Sequence, residues 1–244
     1  MSNPSPNHNL FTMLSPNLLL IDKPAGWTSH DVVAKIRGIK KTKAVGHAGT
    51  LDPFATGLLI LGIGPGTKEL TDLVGLDKTY ETTLTLGATS TTFDPEGDIT
   101  QEVDASFTSS GITLETIENV LNQFRGGYAQ KAPLHSAKKR AGKKLYELAR
   151  AGTATEDMRP IKEVRIDEIT ILAYTWPKLH LRVHCGSGTY IRSLGDDIGR
   201  ALKVGAYVTQ LRRTNIGHFD IKNAKQLSEI SGSYSSIATL LLSY

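Results

Sequence analysis

The residues of this 244-residue chain best suited to chemistry gather in one segment, Gly46-His47-Ala48-Gly49-Thr50-Leu51-Asp52-Pro53-Phe54-Ala55-Thr56-Gly57. Three glycines bracket a histidine and an aspartate, and Pro53 pushes Asp52 toward an extended backbone. Two readings follow. In one, Asp52-Pro53 is the N-cap and first-turn pair of a helix such as Phe54 to Leu61. In the other, the carboxylate stands on a glycine-shaped loop that a bulky substrate can approach closely. The two are compatible, and residue chemistry alone leaves both open.

Other chemistries fit less well. His47 and Asp52 lack a second His or Cys at metal-ligand spacing, and neither His180 nor His184 belongs to an HExxH pattern. Gly62-Ile63-Gly64-Pro65-Gly66-Thr67-Lys68 misses the Walker spacing, and Pro65 removes an N–H that a phosphate loop needs. Gly186-Ser187-Gly188 lacks the third glycine of a dinucleotide fingerprint. Charge is the stronger signal. Between Arg125 and Arg150 lie Lys131, Lys138, Lys139, Arg140, Lys143 and Lys144, interleaved with Tyr128, His135 and Tyr146. Cations neutralise phosphates and aromatic rings offer stacking faces, which points to nucleic acid; the bland alternative is an exposed basic loop. A second run, Lys35, Arg37, Lys40, Lys41 and Lys43, reads equally as an RNA contact or as a solvated face complementing a helix dipole.

The elements that must position these groups can be traced from periodicity. Leu18 to Ile21 reads as a short buried strand, ended by the turn Asp22-Lys23-Pro24-Ala25-Gly26. Thr28 and Asp31 form a capping box ahead of the helical stripe Val32, Val33, Ile36 and Ile39. Tyr80, Thr82, Leu84 and Leu86 alternate as a strand, and Thr91 to Thr100 is turn-like and polar. Leu114, Ile117, Leu121 and Phe124 mark a second helix closed by Gly126-Gly127. The apolar and basic stretch Leu145 to Arg150 ends at Gly152. Leu179, Leu181, Val183 and Cys185 alternate again, and Ile191, Leu194, Ile198 and Leu202 give a last helix. This mixture, without regular βαβ repeats, predicts an α+β fold with a largely antiparallel mixed sheet flanked by helices.

Bulk properties set the context. A length of 244 residues, 39% hydrophobic and 21% charged, suffices for one domain with a sizeable core. The formal charge of +4 tilts toward a polyanionic partner. Cys185 is the only cysteine, which excludes an intrachain disulfide or thiolate cluster and fits a reducing cytoplasm. Residues 1–17 are polar, without the basic start and apolar stretch of a signal peptide, and read as a loose tail. No apolar run approaches the roughly 20 residues of a membrane helix. A cytoplasmic protein is expected.

Six ordered stretches then stand together: Leu20 to Ser29; Gly46 to Lys68; Lys78-Thr79-Tyr80 with Leu86-Gly87; Pro133 to Arg150; Gly188 to Leu194; and Leu211-Arg212-Arg213-Thr214 with Ile216-Gly217. In this order and spacing they resemble the bacterial tRNA pseudouridine-55 synthases, the TruB family, along nearly the whole chain. The resemblance implies a pseudouridine-synthase-type catalytic domain over residues 18–244, with an RNA-gripping insertion at about 128–160. Ala132 and Lys138 depart from the family's usual Pro and aliphatic residue. The implied reaction isomerises uridine to pseudouridine in the T stem-loop of tRNA, after the base is flipped out. It involves no redox change, so neither cofactor nor metal is expected. Asp52 is the implied catalytic residue, and Arg192 the cation that keeps it ionised. The resemblance also places Tyr80 against the flipped base, His47 beside the extruded nucleotide, Tyr190 in the pocket wall and Leu211 as an apolar contact. Lys23 supports the loop or a phosphate. Ending at Tyr244, the chain is expected to be a short form without the family's C-terminal PUA domain, a monomer working without guide RNA. Two other functions compete: a tRNA folding factor whose catalysis is dispensable, and a nucleoside hydrolase, which would have no use for the basic insertion.

Overall fold

A computed structural model describes residues 15–103, 112–134, 139–140 and 143–230. Of the expected tail, residues 1–14 lie outside the described residues, as do His135 and Lys138 and the side chains of Lys139, Arg140, Lys143, Lys144, Tyr146 and Arg150.

The chain opens with strand β1 (Leu18–Lys23) and helix α1 (Ser29–Lys40), followed by β2 (Val45–His47), β3 (Thr56–Ile63) and the short α2 (Leu70–Val74). Next come β4 (Lys78–Leu86), β5 (Ala88–Ser90), β6 (Ile99–Gln101), α3 (Leu114–Leu121) and β7 (Tyr128–Lys131). The two-residue β8 (Lys139–Arg140) and β9 (Lys143–Lys144) precede α4 (Leu145–Arg150) and β10 (Ile161–Val164). The chain continues through β11 (Ile166–Thr175), β12 (Lys178–Cys185), α5 (Ile191–Ala201), β13 (Ala206–Ile216), β14 (Phe219–Asp220) and β15 (Lys225–Gln226). One large sheet runs β11-β12-β4-β13-β3-β1-β15, with β14 on β13 and β2 on β3. Its pairs are antiparallel except β13 with β3 and β1 with β15. This is the largely antiparallel mixed sheet that the periodicities predict.

Two kinds of strand build it. In β12, buried Leu179, Leu181, Val183 and Cys185 alternate with more exposed residues, because only one face meets the core formed with α3 and α5. In β1 and β3 both faces are covered. Leu19, Ile21, Leu59 and Leu61 pack with Val32, Val33 and Ile36 of α1. Leu20, Leu58 and Ile60 face Leu70, Leu73 and Phe219. A strand buried on both faces reads as a continuous apolar run.

That double burial decides between strand and helix after Asp52-Pro53. A helix over Phe54 to Leu61 does not form: β3 occupies most of that stretch and pairs with β1 from Leu18↔Gly62 to Lys23↔Gly57. Gly57 permits it, with φ of +106° and a position where a Cβ would stand 2.3 Å from the Arg213 carbonyl oxygen. We expect Gly57→Ala to cost about 3 kcal/mol of stability, combining left-handed strain with steric overlap. Gly26→Ala is the control, since φ is +79° there but nothing lies within 4 Å. It should cost only about 1 kcal/mol. Denaturant midpoints of the two variants check the difference, and equal losses would refute it.

Helix ends follow local chemistry. Thr28 caps α1, accepting from the Asp31 N–H at 3.0 Å while the Thr28 N–H donates back to the Asp31 carboxylate at 2.8 Å. Thr113 caps α3, which places Leu114 at the exposed first position instead of in the buried stripe.

Candidate active site

Asp52 lies on the loop between β2 and β3, and most bonds holding that loop go to its carbonyl oxygens. The Ser29 hydroxyl, in the first turn of α1, accepts from the Leu51 N–H at 2.8 Å and donates to the Leu51 carbonyl at 3.2 Å. Lys23 Nζ donates to the carbonyls of Pro24, Trp27 and Pro53 at 2.9, 2.6 and 3.2 Å. Arg213, on β13, donates to the carbonyls of Leu58 at 2.8 Å, Gly49 at 3.0 Å and Thr50 at 3.5 Å. Lys23 and Arg213 are both fully buried. Buried cations are expensive unless every donor is satisfied, so these bonds fix the loop as firmly as they solvate the charges.

Burial pushes the Lys23 amine down to about 8, with the Asp52 charge opposing the shift and Arg213 adding to it. Lys78, buried near Arg213, is likewise pushed down to about 8, chiefly by burial. Between pH 8 and the ordinary lysine value of 10.5 the unfolded chain therefore binds more protons at Lys23 than the folded one, and folding gains stability as pH rises. We expect the stability advantage of the natural chain over Lys23→Met to widen across that window, with Lys78 cancelling because both proteins carry it. Unfolding curves at pH 7.5 and pH 10 check this, and an unchanged gap would contradict it.

Arg192, in the first turn of α5, grips Asp52 with two charge-assisted bonds, Nε to Oδ2 at 2.9 Å and Nη2 to Oδ1 at 3.0 Å. Its third nitrogen, Nη1, donates to the Thr92 carbonyl at 2.9 Å and meets Asp94 Oδ2 at 3.1 Å. One guanidinium thus lies between two carboxylates. The side chains of Arg192 and Asp94 are only 4% and 3% exposed, whereas that of Asp52 is 33% exposed. Only Asp52 can meet a substrate. Asp94 is fixed in turn by the Glu96 N–H at 3.0 Å and by the Thr92 hydroxyl. The Glu96 carboxyl is pushed up by burial and by the charges of Asp94 and Asp52.

Tyr80 lies opposite Arg213 in the β4–β13 register. Burial raises its phenol, with the nearby Arg213 charge opposing the shift, so it stays protonated near neutrality. Tyr80 and Leu211 share one apolar cluster with Leu51 and Ala55, which flank Asp52. His47 ends β2, half-buried; burial lowers its imidazole, with Arg213 and His30 adding to the shift. Its Nδ1 is buried without a hydrogen-bond partner among the described residues. Tyr190 immediately precedes α5. Gln130 holds its backbone, and Tyr190 lines a cavity of about 230 Å³ with Ile161, Lys162, Val164 and Gly188. The fold therefore joins Asp52 and Arg192 directly and places Tyr80 and Leu211 beside them. His47 feels the Arg213 charge without a bond to it among the described residues, and Tyr190 is anchored by Gln130 of β7.

Comparison with known proteins shows the family. The family model described as TruB family pseudouridylate synthase (N terminal domain) matches residues 37–191. The chain belongs to the TruB family. A second model, described as tRNA pseudouridylate synthase B C-terminal domain, matches residues 192–239. The TruB boundary thus falls within α5, and Asp52 and Arg192 come from opposite sides of it. The tRNA pseudouridine synthase B of Mycolicibacterium paratuberculosis is 44% identical over 223 residues, 90% of this chain and 74% of that protein. The protein of the same name from Corynebacterium glutamicum is 43% identical over 219 residues, 88% of this chain and 72% of that one. Among solved structures, a chain from a Cbf5–Nop10–Gar1 complex aligns with a TM-score of 0.66 at 30% identity. It covers 86% of this chain, which spans about half of that one, 52%.

Two residues of this TruB-family site escape sequence reasoning. Asp94 sits in the polar turn Thr91 to Thr100, and Arg213 in a motif in which only Leu211 carries an expected role. Arg212 and Arg213 leave β13 on opposite faces. Arg212 pairs with both carboxylate oxygens of Asp22, at 3.1 and 2.7 Å, while Arg213 holds the Asp52 loop. Adjacent arginines in an otherwise alternating strand are the signal that could have found them. Other expectations need correction. Tyr128 is not a free stacking face: its ring packs edge-on against Phe124 at 5.0 Å and its hydroxyl donates to Asp197 at 2.8 Å. Arg37, from the basic run Lys35 to Lys43, is partly structural, donating to the Val45 carbonyl at 2.9 Å. Among the described residues, Asp77, Asp167 and His184 bring potential metal-binding atoms within 4.8 Å of one another. Arg165 already pairs with both carboxylates, at 2.5 and 3.3 Å, which supplies their positive charge. No helix among the described residues is long and apolar enough to cross a membrane.

Proposed function

We propose that this chain isomerises uridine to pseudouridine at position 55 in the T loop of tRNA, with Asp52 as the catalytic carboxylate. The observation that carries this reading is the two-point grip of buried Arg192 on a carboxylate that remains exposed. Each oxygen of Asp52 accepts one bond from Arg192 and keeps lone-pair capacity for substrate. Attack on the uracil ring and assistance to base loss at C1′ both start from this carboxylate. The reaction breaks the C1′–N1 bond, turns the uracil and rejoins it through C5, with no change in redox state. No cofactor or metal is assigned to it.

Flipping the uridine out of its stack costs a few kcal/mol. Tyr80 and Leu211 are assigned to pack against the flipped base, His47 to lie beside the extruded nucleotide, and Tyr190 to the pocket wall. Arg192 is assigned to hold and aim the Asp52 carboxylate. The exposed cations Lys131 and Lys162 at the root of the insertion, together with the net charge of +4, favour a phosphate backbone as partner. We further assign residues 18–244 to one catalytic domain, acting as a cytoplasmic monomer without guide RNA.

The test is incubation of unmodified tRNA with the purified protein alone, followed by chemical mapping of pseudouridine. One new pseudouridine at position 55 is expected. Release of free uracil would make the protein a hydrolase, tight binding without modification a folding factor, and modification outside the T loop would overturn the substrate assignment.

A further inference from the structure

Helix α5 starts without a side-chain cap of its own, yet its first turn must aim Arg192 at Asp52. The missing constraint comes from β7. Gln130, 2% exposed, accepts from the Tyr190 N–H at 2.8 Å and donates to the Tyr190 carbonyl at 3.0 Å. The same carbonyl accepts the first bond of the helix, from the Leu194 N–H at 3.0 Å. Gln130 Nε2 also donates to the Tyr128 hydroxyl at 2.7 Å, and that hydroxyl donates to Asp197, one turn further along α5. On the other side of Arg192, the buried Ser193 hydroxyl donates to the Lys131 carbonyl at 2.8 Å. Residues 190, 193 and 197 of the helix are thus all bonded to the four-residue strand β7.

The second wall of the Arg192 site is held from the same root. Arg159 donates to the Ala132 carbonyl at 2.8 Å and lies over the Phe93 ring, 5.0 Å from its centre. Phe93 stands between Thr92 and Asp94, the two residues that hold Arg192 Nη1.

We propose that Gln130 is a positioning residue: by clamping both backbone polar groups of Tyr190 it fixes the start of α5, and with it the two-point grip of Arg192 on Asp52. The side-chain bonds of Gln130 go to Tyr190 and Tyr128 and to neither Asp52 nor Asp94, so it acts on the pair through the helix. This rests on the reading of Asp52 as the catalytic carboxylate. Because misplacement by about 1 Å can cost about a hundredfold in rate, the effect falls on the chemical step and spares RNA affinity.

The experiment measures single-turnover pseudouridine formation at saturating tRNA, tRNA Kd, and melting temperature for three variants. Gln130→Leu removes every bond of the clamp and should lose about a hundredfold in rate, with Kd changed by less than about twofold. Gln130→Glu keeps the acceptor for the Tyr190 N–H but loses the donated bonds, and should fall between Leu and the natural chain; it also decides the matter if the leucine variant does not fold. A folded variant with undiminished rate, or a rate loss matched by an equal loss of affinity, overturns the proposal. Asp52→Asn separates the two readings: if it stays active, the catalytic assignment fails. If it is inactive while both Gln130 variants are normal, only the positioning role fails.

Discussion

Asp52→Asn is expected to give a folded protein that binds tRNA and forms pseudouridine more slowly by on the order of ten thousandfold. The substitution keeps the side-chain shape and removes only the charge and one acceptor oxygen. An amide cannot start the reaction as the carboxylate does, whichever route the ring takes. It also cannot satisfy Arg192 as a carboxylate does, since one of its two ends is a donor facing Nε or Nη2. The stability loss stays near about 1 kcal/mol, because Arg192 retains Asp94 and the Thr92 carbonyl, and Asp52 is a third exposed. Asp52→Glu probes placement: it keeps the charge, moves it by more than 1 Å, and should lose about a hundredfold. Single-turnover assays at saturating tRNA, with Kd measured alongside, check both. Full activity of Asp52→Asn would remove the catalytic assignment, and loss of binding in step with activity would make the role of Asp52 structural.

The legible parts of this molecule are those whose cause is local. The capping box of Thr28 and Asp31, the alternation of Leu179 to Cys185, and the stripe Ile191, Leu194 and Ile198 record the environment of each residue in its own neighbours. The segment after Pro53 does not. A run such as Leu58 to Leu61 is apolar in every position, which suits a buried helix as well as a strand covered on both faces. What selects the strand is its pairing with β1 and its cover on both faces, with the Arg213 backbone close behind Gly57 and its guanidinium bonded to the Leu58 carbonyl. The same limit hides the site. Asp52 and Arg192 are 140 residues apart, and motif resemblance, not residue chemistry, brings them together in the sequence. Asp94 looks like any turn carboxylate until α5 buries it against Arg192. Tyr128 looks like a stacking ring until Phe124 and Asp197 occupy it. In each case the deciding contact is tertiary.

Arg192→Met tests the other half of the pair and should be costly in two separable ways. The methionine fills part of the guanidinium volume but leaves Asp94 buried with no cation beside it. Removing one partner of a buried ion pair costs about 3 to 5 kcal/mol, and hydration of the exposed Asp52 puts this case near about 3 kcal/mol. For a chain of this size that lowers the melting temperature by roughly 6 to 12 °C. Activity falls as well, by a different cause: Asp52 loses the fork that aims it. Adding Asp94→Asn separates the two. The double variant no longer buries an unpaired carboxylate at Asp94, so it should melt above Arg192→Met while remaining equally inactive. Arg192→Lys completes the argument, because a point charge can pair with Asp52 or Asp94 but cannot make the planar two-point contact to one and reach the other. It should recover much of the stability and little of the rate. If the double variant instead recovers activity along with its melting temperature, Arg192 serves the fold alone, and the aim of Asp52 must come from the loop bonds of Ser29, Lys23 and Arg213.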